Sequence, residues 1–506
     1  MTLARTWSVG LAGVVGAMVE VEVDMANGMP GVVLVGLPDA VVRQSVDRVR
    51  AAVVNAGGSF PQRRITIGLS PAAMPKQGSG FDLALAAAVL AASGAVPEGS
   101  VDRLVLLGEL GLDGSVRGIR GVLPAVLAAA RAGHRQVVVP AANADEAALV
   151  ERIEVLPVTT LAEVVAHLAG RVPLVRHVRG PLPDAPAPPD LGDVVGQAAG
   201  RRAVEVAAAG GHHLFLTGPP GAGKTMLAER LPGVLPALDE QAALEVTAIH
   251  SVAGTLPAAA PLVTRPPFEA PHHSATMAAL VGGGSGVIRP GALCRAHRGV
   301  LFLDESPEFP RAVLDTLRQP LERGSITIAR ASGAATFPCR AQLVLAANPC
   351  PCATAAGDSA CTCSAAERRR YQSRLSGPLL DRIDLRVDLP PVTRAAWLDG
   401  VDPPEPSAAV AARVATARAA AEERMRGSGL ALNAHVPGRL LRERWVVPRS
   451  ASVLAERALE RGVLSVRGFD RVLRVAWTLS DLSGRTVPGR EHVAEALGMR
   501  LQRVAA

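Results

Sequence analysis

Lysine is nearly absent from this chain of 506 residues. All of its 53 basic residues except Lys76 and Lys224 are arginine. Arginine therefore supplies the ordinary surface charge, and each lysine marks a position where a compact ammonium group is favoured. Aromatic residues make up only 3% of the chain, with Tyr371 as the one tyrosine. This scarcity argues against a platform of stacked aromatic rings, which many single-strand nucleic-acid binders use.

Long apolar runs are missing as well. A membrane-spanning helix needs about 20 consecutive apolar residues, and the nearest candidate, residues 83–92, is much shorter. Residues 7–19 have the apolar character of a signal peptide, but they lead into alternating valine and acidic residues at 19–24. That alternation predicts a half-exposed strand that continues the fold. We therefore expect a cytoplasmic protein without a membrane contact.

The charge of the chain is concentrated near its carboxyl end. The overall composition, 49% hydrophobic and 20% charged, is typical of globular proteins, and the net charge is +7. Residues 391–506 carry most of this charge, with 18 arginines against 12 acidic residues. A polyanionic partner and a solvated helical face are both consistent with such a segment.

A proline-rich linker at residues 173–190 divides the chain, because proline lacks the amide donor that helices and central strands require. Residues 1–172 predict an α/β or α+β domain, residues 191–390 an α/β core, and residues 391–506 a mostly helical domain. The predicted strands are 32–35, 65–69, 104–107, 136–139, 214–217, 299–303 and 342–346, and the predicted helices of the first domain are 40–56, 81–92 and 122–132.

A glycine-rich loop follows the predicted strand 214–217 and precedes a helix that we predict to begin near Met226. Its spacing is that of a phosphate-binding loop, in which backbone amides and a helix N-terminus surround phosphate oxygens. In this pattern Lys224 contacts the β- and γ-phosphates of ATP, and the Thr225 hydroxyl is a ligand of Mg²⁺. The loop consists of Gly218, Pro219, Pro220, Gly221, Ala222, Gly223, Lys224 and Thr225.

Two carboxylates end the apolar run 300–303. A second strand must bring a carboxylate beside the phosphate loop, and Asp304 and Glu305 lie about 80 residues after it. We expect Asp304 to hold Mg²⁺ through water and Glu305 to polarise the attacking water.

Asn348 and Arg382 are two further polar residues whose positions are consistent with a role in ATP hydrolysis. Asn348 ends the apolar run 343–347, where its amide is suited to orienting the attacking water; a turn before Pro349 is the alternative. Arg382 lies between acidic residues, and it is interpreted either as part of a surface ion pair or as an arginine that enters the active site of a neighbouring subunit.

Four of the six cysteines lie within the short segment 350–363. Four thiolates on one loop are suited to a tetrahedral Zn²⁺ ion, although their spacing is tighter than that of the usual zinc knuckle. Redox pairing and inert thiols are the alternatives. The residues are Cys350, Cys352, Cys361 and Cys363.

Taken together, the motifs resemble those of the magnesium-chelatase-like AAA+ ATPases, and more closely those of the ComM/YifB family. The resemblance spans essentially the whole chain. Its motifs are 36–39, 75–83, 219–225, 270–275, 282–284, 289–291, 299–305, 347–352 and 376–384.

This resemblance implies a fold, an assembly and an activity. The fold is an amino-terminal Lon-protease-like α+β domain, an AAA+ α/β core with a phosphate loop, and a carboxyl-terminal helical lid domain. A ring, expected to be hexameric, holds ATP between subunits, and ComM-like members act as helicases or in branch migration of DNA during natural transformation. The implied roles are the Walker A pair for Lys224 and Thr225, the Walker B pair for Asp304 and Glu305, the first sensor for Asn348, the trans-acting finger for Arg382 and the second sensor for Arg467.

The Lon-like region also raises a peptidase hypothesis, which requires a serine–lysine dyad. Lys76 and Ser79 are neighbours on one loop, and Gly80 occupies the position of the nucleophile in the Lon pattern, so we expect no working dyad. His272 and His273 are interpreted as structural residues or as residues near phosphate, because no cysteine pair accompanies them.

Three functions remain consistent with the sequence. The leading one is a ring-forming ATPase that remodels branched or single-stranded DNA. The alternatives are the ATPase subunit of a metal chelatase that acts on a tetrapyrrole, and an ATPase that remodels proteins or serves as an adaptor.

Overall fold

The computed structural model describes residues 2–72, 74–181, 186–257, 260–284, 287–330, 333–354, 361–392 and 404–501. They form an amino-terminal α+β unit, a central α/β unit and a carboxyl-terminal helical unit. The mixed α/β fold class predicted from the sequence is therefore confirmed. In the described part of the chain, no helix combines the length and apolarity that crossing a membrane requires.

The amino-terminal unit is built on a seven-stranded mixed sheet. The strands of the unit are β1 (Thr2–Ala12), β2 (Val15–Ala26), β3 (Gly31–Val35), β4 (Arg64–Ser70), β5 (Leu104–Leu106), β6 (Glu109–Leu110), β7 (Val116–Arg117), β8 (Gln136–Pro140) and β9 (Glu154–Val158). Its helices are α1 (Ala40–Asn55), α2 (Asp82–Ala92), α3 (Val122–Arg131), α4 (Ala144–Ala147) and α5 (Leu161–Leu168). The sheet order is β3-β4-β2-β1-β5-β8-β9, and β6 pairs with β7 apart from it.

Two features of this unit follow from its apolar runs. Residues 7–19 belong to the antiparallel hairpin of β1 and β2, whose register runs from Thr2 opposite Met25 to Ala12 opposite Val15. The run 83–92 forms α2, a helix buried almost all round in the core. Its first residue, Asp82, pairs with Arg48 of α1 at 2.7 Å, which fixes the two helices against each other.

The central unit contains a five-stranded sheet. The strands of the unit are β10 (Leu214–Thr217), β11 (Phe268–Glu269), β12 (Gly282–Gly283), β13 (Arg289–Pro290), β14 (Val300–Leu303), β15 (Ser325–Arg330), β16 (Gly333–Pro338), β17 (Gln342–Ala347) and β18 (Leu385–Asp388). Its helices are α6 (Ala198–Gly210), α7 (Lys224–Val234), α8 (Glu240–Ala253), α9 (Met277–Val281), α10 (Ala292–Arg295), α11 (Arg311–Asp315), α12 (Arg318–Arg323), α13 (Ala365–Gln372) and α14 (Gly377–Leu380).

The strands of this sheet are all parallel, in the order β11-β14-β17-β10-β18. Two antiparallel hairpins, β12–β13 and β15–β16, stand apart from the sheet. Helix α7 begins at Lys224, two residues before the predicted Met226, because Gly223 in the left-handed conformation serves as its N-cap.

The carboxyl-terminal unit is helical and shares a hydrophobic core with one face of the central sheet. Its helices are α15 (Ser407–Met425), α16 (Gly438–Glu443), α17 (Arg449–Glu460), α18 (Val466–Leu482) and α19 (Arg490–Leu501). Short 3₁₀ turns occur at Ala141–Asn143, Leu191–Asp193, Ser306–Glu308 and Asn433–His435. The buried Asp384, just before β18, joins the two units, because it accepts a hydrogen bond from Arg471 of α18 at 2.6 Å.

The amino-terminal unit also contacts the central unit. The Gly121 N–H donates to the Ser251 carbonyl of α8 at 3.3 Å, and the Ser251 hydroxyl donates to the buried Glu146 carboxylate. Within the predicted linker, the His177 N–H donates to the Val155 carbonyl of β9 at 2.8 Å, so the linker begins alongside the edge of the first sheet.

The burial of His297 predicts that the stability of the central unit depends on pH. Its side chain is 2% exposed and accepts the Arg340 N–H at Nδ1 (3.0 Å), and burial lowers its pKa to about 4 although Glu245 opposes the shift. The folded chain therefore disfavours protonation of His297. The contribution of the neutral imidazole to the free energy of unfolding is complete above the ordinary histidine pKa near 6.5, and it is lost as the pH falls toward 4.

We expect the free energy of unfolding to lose about 3 kcal/mol across that window through this residue. Thermal unfolding of the unaltered chain and of His297→Gln, measured from pH 7.5 to 4.5, checks it. The substituted chain should be less sensitive to acid, and parallel curves for the two proteins would contradict the prediction.

Candidate nucleotide site

The polar residues of the candidate site lie at the carboxyl edge of the central sheet. Thr217, the last residue of β10, is opposite Ala347 of β17, and Leu303 of β14 is opposite Leu345. Because the strands are parallel, the residues that follow them emerge at one edge, which is where ligands bind in open α/β sheets. The structure thereby brings together the phosphate loop, Asp304 and Asn348.

The loop from Gly218 to Gly223 has the backbone of an anion cradle. Gly221 and Gly223 have φ values of 79° and 85°, in the left-handed region that favours glycine. A Cβ atom built at either position meets no heavy atom within 4 Å, so the space beside the loop is open. The N-terminus of α7, an 11-residue helix, adjoins this space and supplies unpaired N–H groups and a positive dipole end.

Lys224 bends back onto the loop. Its Nζ donates to the carbonyls of Gly218 (2.6 Å) and Pro219 (2.9 Å) and to Oδ1 of Asn348 (3.0 Å). Burial lowers the pKa of this ammonium group, while Asp304 and Glu305 oppose the shift. The charge is therefore balanced by neutral oxygens and nearby acids, which a phosphate can replace.

Thr225 and Asp304 form an oxygen pair. The Thr225 Oγ1 donates to Asp304 Oδ2 at 2.7 Å, and the other carboxylate oxygen accepts the Glu305 N–H at 2.8 Å. Hydroxyl and carboxylate oxygens at the end of a phosphate loop are the donors that Mg²⁺ prefers. These residues therefore fit a magnesium ion shared with the phosphates of a nucleotide.

Glu305 is held in an unusual position. Its φ is 48°, in the left-handed region that residues other than glycine rarely adopt. Its carboxylate is half exposed and lies 3.1 Å from Nδ1 of His273, a contact that the sequence analysis missed. The available signal was the position of His273 just after β11, the strand that pairs with β14.

Tyr371 was also missed as a residue of the site. The one tyrosine of the chain is 4% exposed, and burial raises its pKa to about 12, with Glu308 and Glu305 adding to the shift and the Asn348 backbone N–H opposing it. The next residue, Gln372, donates from Nε2 to the Pro349 carbonyl at 3.3 Å. Helix α13 therefore packs against the segment that begins with Asn348.

The four clustered cysteines converge beside this helix. Their sulfur atoms all lie within 4.8 Å of one another, with Cys350, Cys352 and Cys361 separated by 3.5 to 3.6 Å. Zinc–sulfur bonds of about 2.3 Å in a tetrahedron place sulfurs about 3.8 Å apart. The geometry therefore fits a four-coordinate metal site, and Cys363, 3.0 Å from Cys352, completes the set.

The two arginines expected to act on nucleotide lie elsewhere. Arg382 precedes β18, whose first residue, Leu385, pairs with Leu214 at the start of β10. It therefore lies at the amino edge of the sheet, opposite the phosphate loop. Its Nε donates to the Arg318 carbonyl at 3.0 Å, and its guanidinium pairs with Glu322.

Arg467, at the start of α18, lines the same cavity as Arg382. The cavity has a volume of about 730 Å³ and lies between the central and carboxyl-terminal units. Neither arginine therefore lies at the edge of the sheet that bears the phosphate loop of its own chain. The basic residues that line the cavity are Arg298, Arg323, Arg340, Arg382, Arg418, Arg467, Arg471, Arg474, His213 and His435.

The serine and lysine of the Lon-like loop turn to different partners. The fully buried Lys76 ammonium donates to the Pro71 carbonyl, and burial lowers its pKa. The Ser79 hydroxyl donates to Glu109 instead. The two side chains therefore bond different partners.

Comparison with known proteins identifies the family of the chain. Residues 21–143 match the family described as subunit ChlI of Mg-chelatase, residues 190–397 match magnesium chelatase, subunit ChlI, and residues 404–500 match the carboxyl-terminal region of that subunit. The Competence protein ComM of Haemophilus influenzae is 41% identical over 512 residues, which cover 99% of this chain and 98% of ComM. The chain belongs to the ComM/YifB family of magnesium-chelatase-like AAA+ ATPases.

Other relatives extend this similarity. An uncharacterized protein of Mycobacterium tuberculosis is 56% identical over 503 residues, 99% of each chain, and the protein YifB of Salmonella typhimurium is 40% identical over 500 residues, 99% of this chain and 97% of YifB. The Lon protease of Rhizobium meliloti is 29% identical over 170 residues, 31% of this chain and 21% of the protease. The Lon-like character predicted for the amino-terminal region of this ComM/YifB protein is thereby supported.

Proposed function

We propose that this ComM/YifB protein is a ring-forming ATPase that binds and remodels DNA. The observation that carries the ATPase part is the convergence of the phosphate loop, the Thr225–Asp304 pair, Glu305 and Asn348 at one edge of the sheet. Each of the four supplies a separate requirement of phosphoryl transfer to water.

Binding of ATP exchanges the partners of the loop residues. The phosphates accept hydrogen bonds from the loop amides and the N-terminus of α7, and Lys224 leaves the Gly218 and Pro219 carbonyls for the β- and γ-phosphate oxygens. A bound Mg²⁺ ion would neutralise phosphate charge between Thr225 and Asp304. Glu305 accepts a proton from the attacking water, which Asn348 orients.

A ring completes the site from two chains. Arg382 and Arg467 cannot approach the phosphate loop of their own subunit, because the sheet lies between them. In a ring, the arginine-lined cavity of one subunit faces the nucleotide of the next, and its guanidinium groups neutralise charge on the γ-phosphate. A hexamer is the assembly that the family resemblance favours.

DNA is the proposed substrate on three grounds. The relative ComM carries the name of a competence protein, the carboxyl-terminal segment is strongly basic, and α13 presents the exposed residues Arg369 and Arg370. Within the described part of the chain, neither of these two side chains has a carboxylate within ion-pair distance. Such arginines are suited to phosphates of a nucleic-acid backbone.

Zinc is the proposed occupant of the four-cysteine cluster. The cluster joins the segment after Asn348 to the start of α13, and α13 places Tyr371 against the Asn348 backbone. A bound Zn²⁺ ion would stiffen this closed segment and thereby keep Asn348 in position.

The function is tested by ATP hydrolysis without DNA and with duplex, single-stranded and four-way-junction DNA. We expect branched or single-stranded DNA to raise kcat on the order of tenfold, a change of about 1.4 kcal/mol in the barrier. Higher salt should weaken the effect, because phosphate contacts release counterions. Lys224→Ala is the control and should be inactive throughout. Hydrolysis that is indifferent to every DNA would favour a metal-chelatase or protein-remodelling role instead.

Sharing of the site between subunits is tested by mixing inactive variants. Lys224→Ala and Arg382→Ala should each lose about 10³-fold in kcat. Mixed rings contain interfaces with an intact Lys224 from one chain and an intact Arg382 from the next, so activity should return. Lys224→Ala mixed with Glu305→Gln is the control, because both residues serve the same half-site and no mixture restores it. Absence of recovery in the first mixture would show that Arg382 does not act in trans.

The metal proposal is tested by elemental analysis of protein purified without chelators. We expect about one zinc per chain, and a double substitution of Cys361 and Cys363 by serine should abolish it. That variant should also lose roughly tenfold in kcat, or about 1.4 kcal/mol, because Asn348 is less firmly held. Cys339→Ala, which changes a buried cysteine outside the cluster, should retain both zinc and activity. A zinc content far below one per unaltered chain would exclude the proposal.

A further inference from the structure

Strand β3 is an uncovered edge of the amino-terminal sheet. The sheet order places β3 at one end and β9 at the other. At the β9 end the linker runs along the edge, since the His177 N–H donates to the Val155 carbonyl at 2.8 Å. On the outer side of β3, no strand among the described residues is paired. The β3 edge is therefore open to a partner.

The backbone of β3 presents hydrogen-bonding groups at this edge. The Gly31 N–H donates to the Arg63 carbonyl at 3.2 Å, so Gly31 faces β4. Successive residues of a strand direct their N–H and C=O groups to opposite sides. The odd-numbered residues of β3 therefore face β4, whereas the backbone groups of Val32 and Leu34 face outward. An added strand can pair with these outward groups.

The exposed side chains along this segment are apolar. Val33, Val35 and Leu37 alternate along the chain on one face of the sheet, and they are 46%, 53% and 59% exposed. Val32 and Leu34 point to the opposite face and pack against the core of the unit. Strand β3 contains neither a charged residue nor a proline, which ordinarily protect an exposed edge from pairing. Its sequence is therefore that of a strand that can accept another strand.

Arginines lie at both ends of β3. Arg64 of β4 is opposite Gly31 at the start of the strand, and Arg43 of α1 donates to the Pro38 carbonyl beyond its end at 3.1 Å. Both arginines are exposed, and neither has a carboxylate of a described residue within ion-pair distance. The ion pairs in the described part of this unit join Arg5 with Glu20 and Glu22, Arg48 with Asp82, and His177 with Asp145.

The acidic residues on the same face of the sheet lie farther from the edge. Asp24 and Glu22 of β2 are in the same rows as Val33 and Val35, with β4 between them. Neighbouring strands are about 4.8 Å apart, so a strand added beyond β3 lies about 14 Å from β2. Physiological salt largely screens charges at that separation. The charge that an added strand meets is therefore positive.

This positive charge disfavours a second copy of the chain as the partner. An antiparallel pairing of two β3 strands would bring Arg64 of one copy toward Arg43 of the other. A parallel pairing would bring like arginines together as well. Like charges across paired strands are destabilising, whereas acidic residues at both ends of an incoming strand suit this edge in either direction.

We propose that the free edge of β3 binds an extended segment of another protein, with apolar residues at alternate positions and acidic residues at both ends. The backbone of the segment pairs with Val32 and Leu34, as in other cases of strand addition to a sheet edge. Its apolar side chains pack against Val33 and Val35, and its acidic ends meet the arginines. The amino-terminal unit thereby recruits a protein, a role that goes beyond the proposed ATPase.

The test is the fluorescence anisotropy of a labelled nine-residue peptide mixed with the full chain. The peptide has valine at alternate central positions, threonine between the valines and two aspartates at each end. We expect binding that weakens as salt is added. A peptide with lysine in place of aspartate should bind at least tenfold more weakly, and so should one that is N-methylated at its five central amides. Equal binding of either altered peptide would overturn the proposal.

Variants of the chain locate the binding surface. A double substitution, Val33→Asp with Val35→Asp, should weaken binding of the aspartate peptide at least tenfold. The matched control, Val54→Asp with Leu112→Asp, changes two other exposed apolar residues of the same unit and should bind like the unaltered chain. Thermal unfolding of both double variants verifies that they are folded. Equal loss of binding in the two variants would contradict the assignment to β3.

The contribution of charge is tested by substitution of Arg43 and Arg64 by serine. This variant should bind the aspartate peptide about tenfold more weakly, and its binding should depend less on salt. Unchanged affinity and salt dependence would exclude an acidic partner at this edge.

Sedimentation distinguishes a foreign segment from a second copy. The unaltered chain and the Val33→Asp, Val35→Asp variant should form assemblies of equal mass. A smaller assembly for the variant would assign β3 to an interface between copies and would overturn the proposal, as would failure of the unaltered chain to bind the aspartate peptide. None of these measurements uses ATP or DNA, so their failure is distinct from a failure of the proposed function.

Discussion

The parallel register of β14, β17, β10 and β18 is the constraint on which the rest of the structure depends. It brings the phosphate loop, Asp304 and Asn348 to one edge of the sheet, although they are distant along the chain. Apolar side chains on the two faces of these strands pack into two separate cores, and a shift by one residue would move each side chain to the opposite face and disrupt the packing of both cores. The chemistry of the site is therefore a consequence of burial, and the polar residues occupy only the positions where the strands end.

The same register separates the two halves of the proposed active site. Arg382 precedes β18 and therefore emerges at the amino edge, about four residues of strand away from the phosphate loop. The buried Asp384 strengthens this arrangement: burial alone would raise its pKa, but Arg471 and the neighbouring histidines hold it well below the usual range. Its charge ties α18, and with it Arg467, to the edge that bears Arg382. In the proposed ring, the arginine-lined cavity at one edge of a subunit would meet the phosphate cradle at the opposite edge of its neighbour.

Local signals in the sequence predicted the mixed α/β fold, and they also marked the phosphate loop and the two carboxylates that follow β14. The residues of the loop 218–225 are contiguous in sequence, and so are Asp304 and Glu305. Binding of phosphate and of magnesium requires these residue types at this spacing, so a local pattern is enough to indicate them. Strand β1 was overlooked because its apolar residues also suit a leader peptide, and only pairing with β2 distinguishes the two. The contact of His273 with Glu305 and the place of Tyr371 beside Asn348 were not predicted, because they depend on contacts across the sheet and with α13, which no local sequence pattern contains. The start of α7 was misplaced by two residues, since a left-handed Gly223 is a property of the folded loop.

The paired state of the site explains how such a chain remains stable without nucleotide. A phosphate loop concentrates N–H groups and an ammonium group where no substrate is yet bound, and leaving buried charges unpaired would cost several kcal/mol. Here Lys224 is satisfied by carbonyls and Asn348, and Asp304 by Thr225 and the Glu305 N–H. Each of these contacts has a counterpart in the nucleotide complex. Nucleotide binding therefore exchanges hydrogen bonds within the chain for hydrogen bonds to the nucleotide.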